Sequence, residues 1–241
     1  MNNEEWNPGK LLEVSGAYWQ TCTLHAAVKL DLFSELGGLS LDADQLAESK
    51  GLDSRSLAML LDALAAMGLL IKTGKRYANT TASMAYLTKE SPEYVGHMIM
   101  HHHHLVESWS RLDESVKSGK PVRTRASFSD DERRESFLLG MYNNAMLLAP
   151  QLVPQIDLSG RRRLLDMGGG PGTYAIHFCM HNPELTATVF DLPATRPFAE
   201  KTISAFGLED RIAFQPGSYV KEHVPGTFDA AWLSHILHGE G

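Results

Sequence analysis

The sequence predicts an α/β protein: a mostly helical N-terminal domain, then an open parallel sheet with helices between its strands. Three observations carry this. Residues 15–100 place apolar side chains at helical spacing and contain one short hairpin. From Arg161 the rhythm changes to strand, helix, strand. At the first strand-to-helix handover stands "LLDMGGGPGTYAIHF", residues 164–178, with four glycines among five residues.

Each element follows from local pattern. "TCTLHAAVKLDLFSELGG" spaces Leu24, Val28 and Leu32 as one helix and stops at a glycine pair. "LSLDADQLAESKG" predicts a second, short helix ending at Gly51. "LDSRSLAMLLDALAAMG" predicts a third, capped by Asp53 or Ser54, with Leu57, Leu60, Leu61 and Leu64 as its buried stripe. "LLIKTGKRYANT" reads as a hairpin turning at Thr73 and Gly74. Three helices and a hairpin is the order of a winged helix. Residues 92–150 read as helical again, with a polar loop between Ser118 and Arg133. After a boundary near Pro150 to Gly160, "RRRLLDM", "LTATVFDL", "RIAFQPG" and "FDAAWLSHIL" predict four strands. "GTYAIHFCMHNP" and "TRPFAEKTISAFG" predict the helices that join the first three. Such alternation implies parallel βαβ units. The expected domains are 1–100, a helical connector 101–155, and a sheet domain 156–241.

Composition narrows the function. The chain has 241 residues, 43% of them apolar, and a net charge of -7. Only two cysteines occur, Cys22 and Cys179, in no metal-like pair. "MNNEEWNPGK" is unlike a secretory leader, and no apolar run reaches the roughly 18 residues of a membrane span. A cytoplasmic protein is expected, with no membrane partner. A winged helix raises DNA binding. However, residues 1–90 carry eight basic against eleven acidic residues, and the third helix has Arg55 against Asp53 and Asp62. Phosphates would be repelled. The small residues Ala58, Ala63 and Ala66 suit a helix of a second copy instead. The expectation is a homodimer through the N-terminal domain and no nucleic acid partner.

The glycine run points to a ligand. In open α/β sheets ligands lie beyond the carboxyl ends of the strands. A dinucleotide fingerprint needs G-x-G-x-x-G. Counted from Gly168, the sixth position is Thr173, so that fingerprint fails. The spacing is Asp166-x-Gly168-x-Gly170-x-Gly172, with an acid able to accept hydrogen bonds from an ammonium or a hydroxyl.

The stretch Asp166 to Gly172 resembles the first motif of class I S-adenosylmethionine-dependent methyltransferases. Together with "VFDLP", "PGSYV" and "LSHILH" it resembles the plant-type small-molecule O-methyltransferases and their bacterial relatives, over nearly the whole chain. That family begins with a winged-helix dimerisation domain and continues into a Rossmann-like sheet. The resemblance implies S-adenosylmethionine as cofactor, S-adenosylhomocysteine as product, no metal, and a small-molecule hydroxyl as acceptor. It implies that Gly168, Gly170 and Gly172 border the cofactor's methionine portion, with Asp166 nearby. Asp191 would take the ribose hydroxyls, with Leu192 beside it. Ser218 and Tyr219 would border adenine, although many relatives carry Asp where Ser218 stands. Ser234 belongs to the same surroundings. His238 aligns with the general base, followed here by Gly239 and Glu240 instead of Asp and Trp.

Plainer readings stand beside these. Asp191 also suits a cap for a helix starting near Ala194. His238 also suits an ordinary helix start, and His235 a core or pocket position. His97 with the run His101–His104 has metal-like spacing but no evident carboxylate or cysteine partner. A helix lining a cleft or touching a partner is the expectation. Cys179 with His177 and His181 is expected to be packing. Trp109, Phe137, Met141, Asn144 and Met146 fit an acceptor pocket or a core equally well. A homologue without catalysis, or C- or N-methylation on the same scaffold, stays open. The family continues for roughly another hundred residues. The sequence is therefore expected to be a fragment that binds cofactor weakly, methylates poorly and exposes a sheet edge.

Overall fold

The computed structural model describes residues 6–122 and 131–237, so part of the loop expected between Ser118 and Arg133 lies outside the described residues. The chain divides into two compact units, 1–104 and 105–241.

The first unit opens with α1 (Pro8–Gly16), α2 (Tyr18–Lys29) and α3 (Leu32–Leu36). The single helix expected over residues 21–38 is thus broken. Asp31 takes a left-handed φ of 56°, and its carboxylate meets Lys89 Nζ at 2.9 Å. The apolar stripe crosses the break undisturbed, because Val28 and Leu32 are both buried. Strand β1 (Leu41–Asp42) leads into α4 (Ala43–Lys50), which starts with a capping box. There Asp42 accepts the Gln45 N–H, and the Gln45 side chain accepts the Asp42 N–H. Helix α5 (Ser54–Ala66) is capped by Asp53, which accepts the Ser56 N–H at 2.8 Å. Its residues Leu57, Leu61 and Leu64 are buried and Leu60 is half-buried. Strands β2 (Leu70–Thr73) and β3 (Arg76–Asn79) form the hairpin, and β1 joins it in the order β1-β3-β2. Helix α6 (Thr81–Leu87) follows, and the run His101–His104, on α7 (Gly96–Trp109), closes the first unit.

The second unit holds α8 (Leu112–Ser118) and the long α9 (Asp131–Leu152), then the sheet. Strands β4 (Arg163–Met167), β5 (Thr186–Asp191), β6 (Ile212–Pro216) and β7 (Ala230–Trp232) are all parallel, in the order β6-β5-β4-β7. Helix α10 (Thr173–His181) joins β4 to β5, and α11 (Arg196–Ala205) joins β5 to β6. Leu164, Ile176, Phe178, Val189 and Ile203 form the centre of the core between sheet and helices. The fourth strand is shorter than expected. Trp232 is its last residue, and His235 takes a φ of 55° that no strand continues.

The order of strands locates a crevice. The chain runs outward from β4 through β5 to β6, then returns to the other side of β4 as β7. Where the order reverses, the connections diverge and leave a gap at the carboxyl ends of β4 and β7.

Candidate functional site

Asp166, near the end of β4, and the glycine bend after it sit at this switch point. Asp166 stands in register with Val189 of β5 and Trp232 of β7. Its carboxyl is 1% exposed, and one oxygen accepts the Ala175 N–H of α10 at 3.2 Å. Burial pushes this carboxyl up to about 7; the nearby Asp191 carboxylate adds to the rise and the Ala175 hydrogen bond opposes it. Asp191, at the end of β5, is half-buried by surface, and burial raises it too. It accepts the Gly170 N–H at 2.8 Å and the Leu192 N–H at 2.6 Å, and the Thr195 hydroxyl lies 3.3 Å from the same carboxylate. The helix-cap reading fails in its simple form, since Thr195 occupies the N-cap of α11. Asp191 instead ties the glycine bend to the turn after β5. Among the described residues neither carboxylate has an ion-pair partner.

Two glycines show why the bend needs them. Gly168 has φ 64°, and a Cβ there would lie 2.7 Å from Ile236 Cγ2 and 3.4 Å from Tyr219 Cε1. The same numbers place Tyr219, from the loop after β6, and Ile236, from the segment after β7, against the bend. Gly170 has φ 56°, and a Cβ there would meet nothing within 4 Å. The chain bends at Gly170 against open space, the arrangement of a backbone that approaches a ligand. Gly172 closes the bend against Val189 and supplies the N-cap of α10.

Other expected residues fall around this bend or away from it. Ser218 is half-buried beyond β6, where its N–H donates to Glu222 at 3.2 Å. The preceding Gly217 N–H donates to the Asp191 carbonyl at 2.9 Å, which holds that loop beside β5. Leu192 and Ser234 are half-buried and His235 is exposed. Met141 is half-buried on α9, while Asn144 and Trp109 are exposed. His177 lies 3.5 Å from the Met146 thioether, and Cys179 is buried in the core. His238 lies outside the described residues. In the first unit His25 and His103 meet edge to face at 5.6 Å, with Lys29 Nζ 3.4 Å from His103 Nε2. Among the described residues no group of His, Cys, Asp and Glu is arranged to hold a metal ion, and no helix is long and apolar enough to cross a membrane.

Sequence reasoning missed two polar groups here. Thr173, first residue of α10, is 2% exposed, yet its hydroxyl has no hydrogen-bond partner. The Trp232 indole N–H is likewise buried and unmatched, with its ring 5.2 Å from Tyr174 and 5.1 Å from Phe178. A buried polar group without a partner costs about 1–3 kcal/mol, so such groups mark places where something else is expected. Thr173 had a signal, because it directly follows the glycine run. Trp232 had none, since an indole on a short strand reads as core.

The chemistry of the bend is that of a cradle for a polar, partly cationic ligand. It offers hydrogen-bond acceptors from Asp191, a buried acid without a counter-charge, an unmatched hydroxyl and open space over Gly170. Comparisons agree. The sequence profile described as an O-methyltransferase domain matches residues 109–240, and that of an O-methyltransferase dimerisation domain matches residues 12–89. The 3-hydroxy-5-methyl-1-naphthoate 3-O-methyltransferase of Streptomyces sahachiroi is 35% identical over 96% of this chain and 69% of its own length. An O-methyltransferase family protein from Burkholderia thailandensis superposes with a TM-score of 0.79 at 32% identity, over 89% of this chain and 65% of its own. Human N-acetylserotonin methyltransferase, solved in complex with S-adenosylmethionine, gives 0.78 at 25% identity, over 93% and 70%. This chain thus spans about two thirds of the length of these relatives. It belongs to the O-methyltransferase family, with a match to the family's dimerisation domain in its first unit and to the methyltransferase domain in its second.

Proposed function

We propose that the chain binds S-adenosylmethionine at the Asp166–Gly172 bend and methylates a hydroxyl on a small aromatic or polyketide-like molecule. The observation that carries this is the Asp191 carboxylate, joined to Gly170 beside open space, at the switch point of a parallel sheet. The residues present fit the cofactor. Gly168, Gly170 and Gly172 would border its methionine portion, Asp191 and Leu192 its ribose, and Ser218 and Tyr219 its adenine, with Ser234 nearby. When bound, the cofactor supplies a sulfonium-activated methyl group. The chain's own work is then to hold the acceptor in line, exclude water and move one proton. His238 takes the proton from the acceptor hydroxyl, since a phenol or enol is a poor nucleophile until deprotonated. Met141, Asn144 and Trp109 are assigned to the acceptor's surroundings. A hydroxyl on a fused aromatic ring is the favoured acceptor, because the Streptomyces sahachiroi relative is named for methylating a hydroxynaphthoate.

The match to a dimerisation domain, and the exposed apolar face of α1 and α2, support a homodimer through the first unit. The test of the base is the variant His238→Ala, followed with labelled cofactor and a panel of naphthols and anilines. Turnover of hydroxyl acceptors should fall by about 100-fold or more while S-adenosylhomocysteine affinity stays within about twofold. Undiminished methylation of a naphthol would remove His238 from the mechanism. Methylation of anilines alone would replace the hydroxyl acceptor with an amine.

A further inference from the structure

Two acids, Asp166 buried and Asp191 half-buried, lie beside the glycine bend, and nothing cationic among the described residues pairs with them. Asp166 is 1% exposed, and its carboxyl accepts a single backbone N–H, that of Ala175. Asp191, one strand away, already accepts two backbone N–H groups and lies near a third donor, the Thr195 hydroxyl. Of the titratable groups facing Asp166, β5 contributes Asp191 and α10 contributes Cys179, whose buried thiol is pushed up to about 11. Strand β7 contributes Trp232, which does not titrate. Arg211 points elsewhere: its guanidinium donates to the carbonyls of Asn182 and Leu185. His177 lies against Met146. The residue that follows the bend, Thr173, is 2% exposed and its hydroxyl is also without a partner.

Burial disfavours the charged form of Asp166, and the Asp191 carboxylate on the next strand adds to that, so Asp166 holds its proton while the site is empty. A cation in the bend reverses that balance. We infer that Asp166 is protonated when the bend is empty and releases its proton to solvent when a ligand bearing an ammonium or sulfonium group enters. This rests on the cofactor assignment made above and adds to it: occupation of the site is proton-linked, so cofactor affinity rises with pH through the neutral range. The chain then discriminates by charge as well as by shape. An adenosine ligand without the amino-acid portion gains nothing from the exchange.

The experiment is titration calorimetry of the 241-residue chain with S-adenosylhomocysteine at about pH 6, 7 and 8.5, each in two buffers of different ionisation enthalpy. Adenosine serves as the uncharged probe. The expected result is a buffer-dependent heat that reports release of about one proton per bound ligand near pH 6 and almost none near pH 8.5. Adenosine should show no release. In Asp166→Asn, which mimics the protonated acid, S-adenosylhomocysteine binding should lose its buffer dependence. Heats independent of buffer at all three pH values overturn the linkage and leave the cofactor assignment intact. Equal release with adenosine overturns the role of the cation. Absence of S-adenosylhomocysteine binding at every pH overturns the cofactor assignment itself. Should Asp166→Asn not fold, the contrast between the two ligands in the unaltered chain decides alone.

Discussion

At the scale of single residues, the site is built from conflicts that the fold tolerates. Gly168 is held so close to Ile236 that any side chain would collide with it. Asp166 sits where its charge is least welcome. Its folded value near 7 against an ordinary 3.8 has a definite sign. Between those values the folded chain keeps a proton that the unfolded chain has released, so stability falls as pH rises from about 4 to 7 and then levels. His25 acts in the opposite sense. Burial first, then His103 and His102, lower it, so its contribution is present above about 6.5 and is lost as pH falls. A difference between variants isolates the first effect. Asp166→Asn should melt higher than the unaltered chain, and its advantage should widen by several degrees, roughly 2–4 °C or more, between pH 5 and pH 8. Thermal melts across that range check it; an advantage that stays constant with pH would show that Asp166 is ionised throughout.

At the scale of elements, residue spacing reveals what is repetitive and hides what is local. The four parallel strands, α4 with its terminal Gly51 and the cap at Asp53 all follow from spacing and cap chemistry. The break at Asp31 does not, because Leu24, Val28 and Leu32 keep helical spacing across it. The break coincides with a contact to Lys89, 58 residues away, that no local window contains. The early end of β7 is hidden for a similar reason. "AAWLSHIL" stays apolar past Trp232, and the departure shows only in the backbone at His235. Helices α1 and α2 show the reverse. Leu11, Leu12, Val14, Tyr18 and Trp19 are exposed, Trp19 by 67%, where a helix of a monomer would carry polar groups. Replacing Trp19 with Glu should weaken the proposed homodimer at least about tenfold without altering helix content, because this side chain is exposed in the single chain. Sedimentation over a concentration series reads the outcome. Unchanged association would move the interface off this face.

At the scale of the whole molecule, two units with separate cores share one chain, and the chemistry belongs to the second. Its sheet turns back on itself at β4, which makes a crevice, and the bend from Asp166 to Gly172 lines that crevice with backbone in place of side chains. The glycine spacing and "VFDLP" made the candidate site legible. Thr173 and Trp232 were illegible, because whether a polar group finds a partner is decided by folding and leaves no mark on composition. What occupies the bend decides the chain's chemistry. The direct measurement is equilibrium binding of S-adenosylhomocysteine and of NAD to the chain, alongside Asp191→Ala. The prediction is saturable binding of S-adenosylhomocysteine at one site per chain, weakened at least about tenfold by the loss of the carboxylate, and no binding of NAD. Saturable binding of NAD, or S-adenosylhomocysteine binding that ignores residue 191, would contradict it.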